Sequence, residues 1–140
     1  MKLQILFCLT VFISLLGCNE ASKQVAQGES SFSEGLDLFE QKEFADAEKY
    51  FSESLDKGHL NPDLMCEARL KRAKSRIELE NYEGAREDLE FLLEGAPNTS
   101  EVFATLGKLA MKEGNNDEAK RCFQEAKKQD SQLVIPMELR

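Results

Sequence analysis

Of the residue types that do chemistry, this 140-residue chain carries one histidine, four cysteines, 18 basic and 26 acidic side chains. His59 has no cysteine pair or serine motif near it with which to build a triad or a metal site, so it reads as a solvated loop residue. Gly28, Gly35 and Gly58 are not spaced as a loop that cradles phosphate. Glu80, Glu83, Glu87, Asp88, Glu90 and Glu94 read as a solvated helix face rather than a hydrolytic pair. A sharper feature is Arg69, Lys71, Arg72, Lys74 and Arg76, five positive charges within eight residues. Offsets of three and seven put Arg69, Arg72 and Arg76 on one helical face. Either this stripe lays its aliphatic stems over the core and pairs with the acidic segment that follows, with Arg72 reaching Asp88, or it forms a site for an anion or an acidic peptide. No catalytic residue, metal-ligand set or cofactor site is expected, and the chain reads as a non-enzyme.

The amino terminus carries a separate signal. Met1-Lys2 precedes a 14-residue run from Leu3 to Leu16 in which only Gln4, Thr10 and Ser14 are polar. A basic start, a short apolar stretch and a small-residue cleavage site describe a secretory signal, too short to span a bilayer comfortably. The run ends Leu15-Leu16-Gly17-Cys18, which resembles the lipobox of bacterial lipoproteins. That resemblance implies removal of residues 1–17 as a signal peptide, a thioether from Cys18 to diacylglycerol, and a palmitate-type acyl chain on the new amino group. An ordinary signal peptide cut nearby, or an uncut anchor, is the alternative. Several acyl chains hold far more firmly than one. Asn19 differs from the aspartate that often retains such proteins at the inner membrane, which points to the outer membrane facing the periplasm. Losing Lys2 with the leader moves the net charge from -8 to -9, a balance that argues against a nucleic-acid partner. Cys8 leaves with the leader, and Cys66 and Cys122 are expected as half-buried thiols rather than a bridge.

Residues 18–27 hold the lipidated Cys18 and a polar stretch that reads as a tether. Beyond it a pattern recurs: Gly35, Ala47 and Phe51; Ala73, Ala85 and Leu89; Gly107, Ala119 and Phe123. The central alanines lie 38 and then 34 residues apart. A period of this size marks a stacked repeat. Phe32, Gly35, Leu36 and Phe39 fall on one helical face, as do Ala47, Phe51 and Leu55, so each unit reads as a helical hairpin. Glu43-Phe44-Ala45 marks the first turn. A glycine within a helix costs about 1 kcal/mol against alanine, so Gly35 and Gly107 imply close helix approach. Asn61-Pro62-Asp63 and Thr99-Ser100-Glu101 read as helix starts, and the four extra residues Pro62 to Met65 as one added turn of the third helix.

These units resemble the tetratricopeptide repeat family, most closely in the third and least in the second. The resemblance implies an all-α, right-handed solenoid of three hairpins over residues 28–133, with repeats at about 28–61, 66–99 and 100–133 and a tail at 134–140. It also implies a protein or peptide partner in a concave groove lined by the first helix of each unit. By place in the repeat that lining includes Phe32, Leu36 and Phe39, then Leu70, Lys71, Lys74, Ile77 and Glu78, then Thr105, Lys108, Met111 and Lys112. Phe32, Leu36 and Lys74 stand where some members carry the residues of a carboxylate clamp, so the resemblance does not support that activity here. Arrays of this kind usually end in a covering helix. Here either the tail folds back over the third hairpin, or another copy or a partner covers it. The expectation is an envelope lipoprotein acting as an interaction scaffold; the alternative is a structural subunit that self-associates through an uncovered carboxyl-terminal repeat.

Overall fold

The computed structural model describes residues 23–56, 60–95 and 99–139. Within them lie α1 over 23–40, α2 over Phe44–Asp56, α3 over Pro62–Glu78, α4 over Tyr82–Leu93, α5 over Thr99–Lys112 and α6 over Asn116–Gln129, followed by a 3-10 turn at Met137–Leu139. No strand occurs among the described residues, and consecutive helices pack in order into an all-α, tetratricopeptide-like solenoid of three hairpins. The expected leader and Cys18 lie outside the described residues, as do Gly58, His59 and Pro97. Residues 23–27, expected as tether, already belong to α1.

One turn is made three times. Lys42, Glu80 and Gly114 each adopt positive φ, at 63°, 61° and 79°. Around each, the next amide bonds a carbonyl five residues back: Glu43 to Leu38 at 2.9 Å, Asn81 to Arg76 at 2.9 Å, Asn115 to Ala110 at 2.8 Å. This left-handed cap closes the carbonyl end of one helix and reverses the chain within three residues. Only the third turn has the glycine that makes it free of steric cost. The first turn thus lies at Gln41–Glu43, and Phe44 and Ala45 open α2 rather than belonging to the turn. Asn81 and Asn115 then cap α4 and α6, their side chains accepting from the amides of Gly84 and Glu118 at 3.2 Å.

The two helical glycines have the packing reason their cost demands. A Cβ on Gly35 would stand 2.9 Å from the ring of Phe51, and one on Gly107 would stand 2.8 Å from the ring of Phe123. The middle hairpin trades both partners, with Ala73 and Leu89 in the equivalent places, both fully buried. The added turn also forms: Asn61 caps α3 by accepting from Leu64 at 2.9 Å, with Pro62 in the first helical position.

Three apolar clusters run along the stack. Phe32, Ala47, Phe51 and Ala68 centre the first, and Ile77, Leu89, Leu92, Val102 and Leu109 the second, which spans α3, α4 and α5. The third joins Ala110, Ala119 and Phe123 to Leu139, with Leu133 and Ile135 against it. The tail therefore folds back over the last hairpin, and an uncovered carboxyl-terminal repeat is not what the chain forms. Pro136 prevents a regular helix there, and a single 3-10 turn seats Leu139 instead. Val134 and Met137 stay outside, 72% and 76% exposed.

Candidate functional site

The basic stripe on α3 converges on one carboxylate. Asp88, on α4, is 1% exposed, so it does not belong to the solvated face suggested by its neighbours. It accepts from Arg69 Nη1 at 3.2 Å, from Arg72 Nε and Nη2 at 2.8 and 2.6 Å, and from Arg76 Nη1 at 2.9 Å. Arg76 also donates to Glu48 on α2 at 2.9 Å and to the Gly84 carbonyl at 3.0 Å, and Arg72 donates to Ser52 at 3.1 Å. Arg69 lies over the Phe91 ring, 3.9 Å from its centroid. Burial works against the charge on Arg72, but hydrogen bonds and attraction to Asp88 outweigh it and hold its pKa above the ordinary value. Of the two readings of the stripe, the structural one holds. The guanidiniums of Arg72 and Arg76 join α3 to α4 and α2, and that of Arg69 joins α3 to α4, its Nε alone being buried without a partner among the described residues.

The opposite side of α3 is open. At 100° per residue, Lys74 and Glu78 lie far around the helix from Arg72 and Arg76. There a groove of about 440 Å³ is lined by Phe39, Phe44, Lys74, Ile77, Glu78, Thr105, Lys108, Met111 and Lys112. Phe39 ends α1 and Phe44 begins α2, and their rings meet edge to face at 5.7 Å. Ile77 comes from α3 and Met111 from α5, so all three hairpins contribute to one apolar floor. Along the rim, Lys74 Nζ pairs with Glu101 at 2.6 Å, while Lys112 and Glu78 stand 4.0 Å apart. Lys71 sits over the Phe39 ring at 4.8 Å. Lys108 is exposed, and no ion-pair partner is found for it among the described residues.

Of the residues expected to line a groove, the structure brings together Phe39, Lys74, Ile77, Glu78, Thr105, Lys108, Met111 and Lys112, with Lys71 at the edge. Phe32 and Leu36 turn instead into the first core, where Phe32 meets Phe51 at 6.0 Å, and Leu70 packs on the second core. Phe44, which the sequence places in the first turn, also lines the groove. The signal that could have found it is the shortness of the turn, which must return the start of α2 beside Phe39.

Among the described residues no other cluster of reactive groups is found. Cys66 and Cys122 are free, half-buried thiols. Burial, reinforced by Glu118, pushes the Cys122 thiol above its ordinary pKa and so disfavours the nucleophilic thiolate. Among the described residues no group of three or more histidine, cysteine or acidic side chains could hold a metal ion. No helix among them is long and apolar enough to cross a membrane.

No curated protein matches the chain at a significant level. The family model for the tetratricopeptide repeat matches residues 76–133, from the end of α3 through α6. The stacked hairpins and this match support a tetratricopeptide-repeat protein, similar to a family that typically serves as a non-catalytic protein-binding scaffold.

Proposed function

We propose that this chain is a lipid-anchored adaptor of the bacterial cell envelope, docking a protein or peptide partner in the groove between its hairpins. The observation that carries the docking is the groove itself. Its apolar floor is assembled from three hairpins, with half-buried Phe39, Phe44 and Met111 lining a concave space of about 440 Å³ rimmed by charged side chains. The Leu15-Leu16-Gly17-Cys18 sequence supports the anchor, and Asn19 supports the outer membrane facing the periplasm. No catalytic role is assigned, and the partner is a protein rather than a nucleic acid.

Two experiments test this. Labelled palmitate should be incorporated into the wild-type chain and not into Cys18→Ser, and the labelled product should fractionate with outer-membrane markers. Affinity capture from detergent-solubilised membranes should recover a partner with the wild type and lose it with Met111→Glu. Equal recovery from both would move the docking surface elsewhere. Exposed Val134 and Met137 at the carboxyl-terminal end favour a second reading, self-association into a larger assembly. Light scattering separates the two: a discrete oligomer that Val134→Asp disperses would support it, and a monomer at every concentration would remove it.

A further inference from the structure

We propose that the groove takes an acidic peptide segment carrying one bulky apolar side chain. This rests on the reading of the groove as the docking surface and adds the chemistry of its occupant. The chain as a whole is strongly acidic, with net charge -8, yet the groove inverts that balance. Around its mouth stand the ammonium groups of Lys71, Lys74, Lys108 and Lys112, against the carboxylates of Glu78 and Glu101.

Position along α5 sharpens the point. Lys108 and Lys112 are four residues apart, one above the other on the same face, an arrangement in which like charges destabilise a helix. Acidic side chains abound elsewhere on this molecule, but Lys108 has no carboxylate partner among the described residues, and the one near Lys112 is loosely placed at 4.0 Å. Two adjacent, weakly compensated cations beside an apolar floor are a recognition pair for ligand carboxylates. Phe39, Phe44, Ile77 and Met111 supply the complementary surface for an aromatic or large aliphatic side chain between those acids. The net charge of -8 disfavours an acidic peptide at long range, and the local excess of lysines at this mouth offsets it there.

The test begins with a random dodecapeptide display library selected on the full chain in detergent micelles. Enriched sequences should be acidic and contain a bulky apolar residue. A synthetic winner, acetylated and amidated at its ends, is then measured by fluorescence anisotropy. Replacing its acids with the matching amides, or introducing Lys108→Glu with Lys112→Glu, should weaken binding at least about tenfold, and the affinity should fall with added salt. Both lysines are exposed, and matched circular-dichroism melts confirm that the variant is folded. Winners that are neutral or basic, or acidic winners indifferent to the lysine exchange, overturn the proposal. If such winners are still lost with Met111→Glu, the groove remains the docking surface and only the chemistry assigned to its occupant fails. Winners indifferent to every groove substitution, or no enrichment at all, overturn both.

Discussion

The two junctions between successive hairpins are built from different materials. Between the second and third, the apolar cluster runs unbroken from Ile77 and Leu89 through Leu92 to Val102 and Leu109, and charge stays at the edges, where Arg86 meets Glu113 and Glu118. Between the first and second, the first apolar cluster reaches only Leu64 and Ala68 of α3, and an ionic network adds to it: Arg72 and Arg76, held on buried Asp88 within the second hairpin, extend to Ser52 and Glu48 on α2. A greasy junction tolerates the loss of a contact in proportion to the area lost. A buried ionic junction does not, because removing one partner strands the others away from water. The second unit therefore departs from the repeat pattern for a reason, since it must present arginines where its neighbours present apolar groups.

The largest effect should follow from removing the common acceptor. Asp88→Ala leaves three guanidiniums around an empty centre and should cost about 3–5 kcal/mol in urea unfolding. Hydrogen exchange should show α1 and α2 losing more protection than α5 and α6, and uniform loss would contradict the proposed difference between the junctions. Next comes Gly107→Ala, which drives a methyl group against the Phe123 ring and should cost about 1–3 kcal/mol. Adding Phe123→Leu imitates the alanine and leucine of the middle hairpin and should recover part of the loss in a double-mutant cycle. Arg86→Ala should cost at most about 1 kcal/mol, since its pairs with Glu113 and Glu118 are partly solvated, although those same hydrogen bonds hold its pKa above the ordinary value. The smallest change is a gain. Glu80→Gly relieves a left-handed backbone strain that Gly114 does not carry, and should stabilise by about 0.5 kcal/mol after the added freedom of the unfolded chain is counted.

Much of the fold was legible because repetition exposes geometry. Gly35 and Phe51, like Gly107 and Phe123, announce a close crossing because a phenylalanine ring laid against the facing helix leaves no room there for a Cβ. Asn61-Pro62 announces a helix start because an acceptor side chain and a missing amide suit the first turn. The attraction of Arg72 to Asp88 was visible too, but the burial of Asp88 was not, since periodicity treats every acid on a helix face alike. Which side of α1 faces the groove was equally hidden. Phe32, Leu36 and Phe39 share one stripe and all pack on the first core, and only the structure shows that Phe39, near the end of α1, also reaches the groove. That the tail folds back over the last hairpin was one of the readings the sequence offered, but not that Leu139, Ile135 and Leu133 do the covering, since irregular chain has no periodicity to read.

The groove draws its walls from every hairpin, and the arginine cluster grips α3 from behind. Its width is therefore a property of the pitch of the whole stack rather than of any one helix. A few degrees of rotation where Arg72 and Arg76 meet Ser52 and Glu48 of α2 would swing Phe39 and Phe44 toward or away from Met111 and Lys112, so an occupant would act as a strut, fixing the curvature of the array while it stays in place.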